Sequence, residues 1–137
     1  MPAHDLSGPI KAAVIEKLKA NPGVAAIVGA RVYDYVSAKP VFPFLRCVLA
    51  LVQPWEATGG VAGSLILVQV DAFTKEYGTS GCDALNAAVS EALNEADLTL
   101  STGYSIDLTW TRTQTFGDPK EQGVNHGVIE FESLAAA

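Results

Sequence analysis

Residues 65–74, Leu-Ile-Leu-Val-Gln-Val-Asp-Ala-Phe-Thr, place Ile66, Val68, Val70 and Ala72 on one face of an extended chain, with Leu65, Leu67, Gln69 and Asp71 on the other. Successive side chains of a strand point to opposite faces, so this pattern calls for an interior strand, covered on both sides and turning polar at one end. The run Phe44–Val52 is almost continuously apolar, broken by Arg46 and closed by Pro54, and predicts a second strand covered on much of both faces. Between the two, Gln53–Ser64 carries Trp55, Gly59, Gly60 and Gly63 and reads as an exposed glycine-rich loop.

Other periods surround this pair. Ser7–Ala20 predicts a helix, with Ser7 as N-cap, Pro9 in the first turn and an Ile10, Val14, Leu18 stripe. Asn21-Pro22-Gly23 stops it, Val24–Val28 reads as a short apolar turn, and Arg31–Val36 has strand propensity. A second helix follows from Cys82, Leu85, Ala88, Val89, Ala92, Leu93 and Ala96, spaced for one helical face, with Ser80 and Asp83 as a loose capping box. Tyr104, Ile106, Leu108 and Trp110 alternate with polar residues as one strand whose Thr-rich face is open to solvent or to another subunit. Val124–Ser133 is its hairpin partner, with Ile129 and Phe131 inward, and Leu134–Ala137 reads as a frayed end. The expected fold is α+β: a mostly antiparallel four- to five-stranded sheet with the helices at 7–20 and 80–95 packed on one face. Residues 1–137 form one domain in this reading, with an ordered core over about 7–133.

The net charge is −6, with 9 Lys or Arg against 15 Asp or Glu, which disfavours gripping a phosphate backbone. The imbalance is uneven: residues 1–46 carry six basic and three acidic side chains, residues 47–137 three and twelve. Unlike charges at two ends of a chain suit contacts between unlike surfaces. No apolar run approaches the roughly 20 residues that would span a bilayer.

Chemistry is sparse. His4 and His126 are the only histidines, and neither has further ligands at zinc-site spacing; His126 reads as a solvated turn residue. Cys47 and Cys82 read as buried free thiols. Gly59-Gly60-Val61-Ala62-Gly63 lacks the Gly-Lys-Ser/Thr ending of a phosphate loop. Glu130 with Glu132, and Glu91 with Glu95, read as solvated faces. The expectation is no catalytic, cofactor-binding or metal site. Partner contacts fall to exposed loops: Trp55 and Glu56 in the glycine-rich segment, Lys120 and Glu121 in the last turn.

The run Leu18–Tyr33, then Pro43-Phe44, then Val68–Phe73, then the helix Ala84–Leu93, in this order and spacing, resembles the tail completion, or tail terminator, family of long-tailed bacteriophages and gene transfer agents. The resemblance covers about residues 10–133. It implies a non-enzymatic virion subunit, made in the bacterial cytoplasm, that forms a hexameric ring at the head-tail junction. Its partners would be further copies of itself, the major tail tube protein and a head-completion or connector protein, with no membrane and with DNA only as passing cargo. Other readings are a different connector component, such as a head-completion or minor tail protein, and a small-molecule-binding α+β domain.

Overall fold

In a computed structural model describing residues 7–56, 62–101, 103, 105–118 and 120–136, the doubly apolar segment forms the central strand of a five-stranded sheet. The chain runs α1 (Ser7–Ala20), α2 (Pro22–Val28), β1 (Val32–Tyr33), β2 (Phe44–Glu56), β3 (Ala62–Lys75) and α3 (Ser80–Leu93). It continues through β4 (Asp97–Thr99), β5 (Ser105–Asp107), β6 (Thr109–Gly117) and β7 (Val124–Ala136). The sheet order is β1-β2-β3-β7-β6, antiparallel except for the short β1–β2 pair. The fold is α+β, as the residue patterns require.

The helices cover one face. Leu45, Cys47, Ile66, Val68, Val70, Ile129 and Phe131 point that way and are buried. They join Ile10, Val14 and Leu18 of α1 and Leu85, Val89 and Leu93 of α3 in one core. Leu98, Leu100, Ile106 and Leu108, around the small β4–β5 hairpin, extend the same cluster. Where α3 crosses β7, Gly127 lies directly against the Asn86 side chain, so this strand position accepts no Cβ without displacement.

Several local expectations are corrected by tertiary pairing. Gln53–Ser64 is mostly strand: β2 reaches Glu56 and β3 starts at Ala62, with Trp55 opposite Gly63. The end expected to fray continues β7 through Ala136, because Leu134, Ala135 and Ala136 pair with Leu65, Ser64 and Gly63 and so complete the ladder of β3; Ala137 lies outside the described residues. Val24–Val28 belongs to a helix capped by Asn21, whose Oδ1 accepts the Val24 N–H at 3.1 Å. Of Arg31–Val36, only Val32 and Tyr33 pair as strand. Ser80 is the first helical residue of α3, not its cap; the Cys82 N–H is taken by the Glu76 carboxylate at 3.1 Å instead.

The strand expected from Tyr104 to Phe116 is divided. Ile106 pairs with Leu98 in β5, while the Leu108 carbonyl accepts the Glu95 N–H at 2.7 Å at the end of α3. β6 then begins, with an irregularity between Trp110 and Arg112, and Trp110, on the edge strand, is 46% exposed although Ile106 and Leu108 are buried.

Candidate functional site

The face of the sheet away from the helices carries the polar chemistry. Arg46 of β2 lies opposite Asp71 of β3, which lies opposite Val128 of β7, so one register line brings a basic and an acidic side chain together across neighbouring strands. The Asp71 side chain is fully buried, yet it is well supplied with donors: Arg46 Nη2 donates to Oδ2 at 2.6 Å and Gln69 Nε2 to Oδ1 at 2.8 Å. His126 Nε2 stands 3.4 Å from Oδ1, long for a hydrogen bond, and acts chiefly as a nearby electropositive edge. Burial on its own raises the Asp71 carboxyl; the contacts with His126, Gln69 and Arg46 together outweigh it and hold the carboxyl below its ordinary value.

His126 is thus not a solvated turn residue. β7 carries it into the sheet opposite Phe73, and their rings stack at 4.4 Å between centroids. Phe44 stacks on Phe73 at 4.9 Å from the other side, and Phe116 meets His126 edge-on at 4.8 Å. Four neighbouring strands are therefore cross-linked by aromatic contacts at one end of this face. Further along, Arg112 Nη2 donates to Glu130 Oε1 at 2.9 Å.

This cluster is built for holding strands together. Among the described residues, no three His, Cys, Asp or Glu side chains converge as metal ligands. Cys47 and Cys82 are free and buried; desolvation pushes the Cys47 thiol up to about 12 and the Cys82 thiol upward as well, so neither is a ready nucleophile. His126 faces a carboxylate and two aromatic rings. The acidic and basic side chains here neutralise one another in pairs.

The four residues expected to contact partners do not form one patch; they divide between the two ends of the sheet. Trp55 and Glu56 stand at the end of β2, near the tip of the β2–β3 hairpin, in strand rather than in a loop. Lys120 and Glu121 lie in the β6–β7 turn at the other end, where Gly117 pairs with Asn125 and Lys75 with Val124. There the Lys120 N–H donates to Asp118 Oδ1 at 2.8 Å, Lys120 is exposed, and Glu121 pairs with Lys75 at 3.0 Å. At about 3.3 Å per residue, the 14 residues of β3 separate these ends by roughly 45 Å.

What local reading of the sequence missed was Arg46, Asp71 and His126 as one unit. The available signal was the single charged residue within each of the apolar runs 44–52 and 65–74, Arg46 and Asp71.

Residues 12–135 match the family described as tail completion protein gp17. No curated protein matches. Among solved structures, a chain from the virion of a native gene transfer agent particle is similar with a TM-score of 0.85 and 26% identity, covering 98% of this chain and 99% of that one. A second solved chain shares the fold at a TM-score of 0.56 and 14% identity, covering 96% and 93%. With the family match spanning nearly the whole chain, this protein belongs to the tail completion protein gp17 family.

Proposed function

We propose that the protein is a structural virion subunit that closes the tail tube and joins it to the head connector as a ring of six copies, with DNA passing through the lumen. The observation that carries this reading is the near-complete structural match to a chain of a gene transfer agent virion, at a TM-score of 0.85. Heterologous contacts close into rings when the rotation between copies fits. The charge division between residues 1–46 and 47–137 supplies unlike surfaces for such contacts. Two remote polar ends suit a subunit that meets different partners above and below. Trp55 and Glu56 are assigned to one partner, Lys120 and Glu121 to the other, the tail tube protein and the connector protein between them. The pairing of Arg46 with Asp71 and of Arg112 with Glu130 leaves few free cations on the open sheet face, which suits a surface past which DNA slides without being held.

Electron microscopy of particles produced without the protein tests the reading. Tails that fail to join heads, or tubes of irregular length, are the expected result. Intact, normally joined particles lacking the protein would overturn it.

A further inference from the structure

The five-stranded sheet has two open edges. β1 covers β2 only at Leu45 and Arg46, so residues 48–56 pair with β3 on one side and have no strand on the other among the described residues. This segment contains Pro54, a residue tolerated within a sheet only on an edge strand, and carries no charge before Glu56. The opposite edge is β6, nine residues long, pairing with β7 alone, with a Thr-rich sequence and Arg112 as its one charge. Monomeric proteins blunt such edges with lysines, prolines, bulges or short strands; β6 has no lysine or proline, and its one irregularity, at Trp110/Arg112, leaves Arg112–Gly117 regular.

Three large exposed apolar side chains lie on the edge strands, Trp110 at 46% and Phe116 at 41% on β6 and Leu51 at 36% on β2, while Tyr35, Val41 and Tyr77 are exposed in the connections. A groove of about 640 Å³ runs beside the open part of β2, lined by Lys11, Ala12, Ile15 and Asp34 together with Leu51 and Val52. A helix flanking a free strand in this way is the geometry in which an added strand gains main-chain hydrogen bonds and side-chain pockets together.

We infer that β6 of one copy adds antiparallel to residues 48–56 of β2 in the next copy, making one continuous sheet across the subunit boundary. The inference rests on the ring reading and names its contact surface. Charge selects the pairing. Helix α1, beside β2, carries Lys11, Lys17 and Lys19 against Glu16; Lys11 is paired with Asp34 at 3.0 Å, and Lys17 lines a hollow with Asp97, which leaves a smaller net positive charge on this side. Helix α3, tied to β6 by Asn86 Nδ2 donating to Thr115 Oγ1 at 2.8 Å, carries Asp83 and Glu91, with Glu95 following and no base. Joining β6 to β2 sets the acidic helix beside the basic one; joining like edges, β6 to β6 or β2 to β2, sets like charges together.

Strand direction and register agree. β2 and β6 run in opposite senses within one copy, so a rotation about an axis along the strands makes the new pair antiparallel, like its neighbours. Following the registers across the sheet, the open stretch of β2 lies about five residues nearer the hairpin tip than β6 does. Each copy would therefore be staggered against the last, as closed, tilted sheets require.

The test uses full-length protein carrying Gln53→Cys and Gln114→Cys, two exposed positions on the helix-free side of the two edges, treated with a short bismaleimide; the native Cys47 and Cys82 are buried. Expected is a ladder of covalent species beyond the dimer, from oligomer in solution or from purified particles, absent in each single variant. Arg112→Cys or Phe116→Cys in place of Gln114→Cys covers neighbouring registers. An oligomer that cross-links at none of these positions overturns the edge pairing while leaving the ring intact. Cross-linking of Gln114→Cys alone, stopping at dimers, also overturns it, since β6 would then meet β6. Protein that is monomeric in solution and on particles removes the ring itself.

Discussion

The two faces of the central sheet are made from the same strands and solve opposite problems. Under the helices, Ile66, Val68, Val70, Ile129 and Phe131 are removed from water and stabilise the fold by burial and close packing. On the open face no layer formed by the described residues lies above, and the strands are tied laterally, through Arg46–Asp71, Arg112–Glu130 and the rings of Phe44, Phe73, His126 and Phe116. Burying area over a face requires a second layer, whereas lateral ties do not. A sheet that keeps one face free for a lumen or a neighbour can thus remain held together without a cover on that side.

The comparison can be broken most forcefully on the covered face. Phe131→Ala removes a fully buried ring from the core, and denaturant unfolding should show a loss of about 3–5 kcal/mol. A loss below about 1 kcal/mol would mean that the helix layer is not the dominant source of stability. Gly127→Ala forces a methyl group against the buried Asn86 side chain, and overpacking should cost about 2–3 kcal/mol, with the Asn86–Thr115 contact disturbed in amide and side-chain NMR spectra.

On the open face the expected effects are smaller. Asp71→Asn weakens charged hydrogen bonds from a half-exposed Arg46, for which about 2 kcal/mol is expected. The effect has a defined pH dependence. The native Asp71 carboxyl sits below its ordinary value, so its contribution is complete above the unfolded-state value near 4 and is lost as pH falls through the lower native value. The stability difference between the wild-type protein and Asp71→Asn should accordingly be constant from about pH 5 upward and shrink in more acidic solution. A difference that grows on acidification would contradict the assignment. Arg112→Ala opens an exposed pair and should cost about 0.5 kcal/mol, diminishing further in high salt.

Much of the covered face could be read residue by residue. The α1 stripe of Ile10, Val14 and Leu18, the inward face of α3, and the inward Ile129 and Phe131 follow from periods of 3.6 and 2 contained within each segment. The open face was less legible. Asp71 announced only that β3 turns polar; besides Gln69, two positions away, its donor is Arg46, 25 positions away, and His126, 55 positions away, is set beside it. His126 follows Gly123 closely and looks locally like a turn residue, and only the β3–β7 register puts it on Phe73. The glycine-rich Gln53–Ser64 segment and the small-residue C-terminal stretch have weak strand signals of their own. Residues 53–56 and 134–136 become strand because β3 offers each a ladder of backbone donors and acceptors.

From the sequence alone come the class of fold, the identity of most core residues, the two main helices and the absence of a reactive motif. The registers, the two open edges, the buried Asp71 and the placement of Trp55 and Lys120 at opposite ends of the sheet belong to the tertiary structure. The physical reason is one of range. A helix or strand period is written in side chains a few positions apart, but a ladder joins distant segments whose closure cost varies only slowly with separation, so no local pattern specifies which strands meet or at which register.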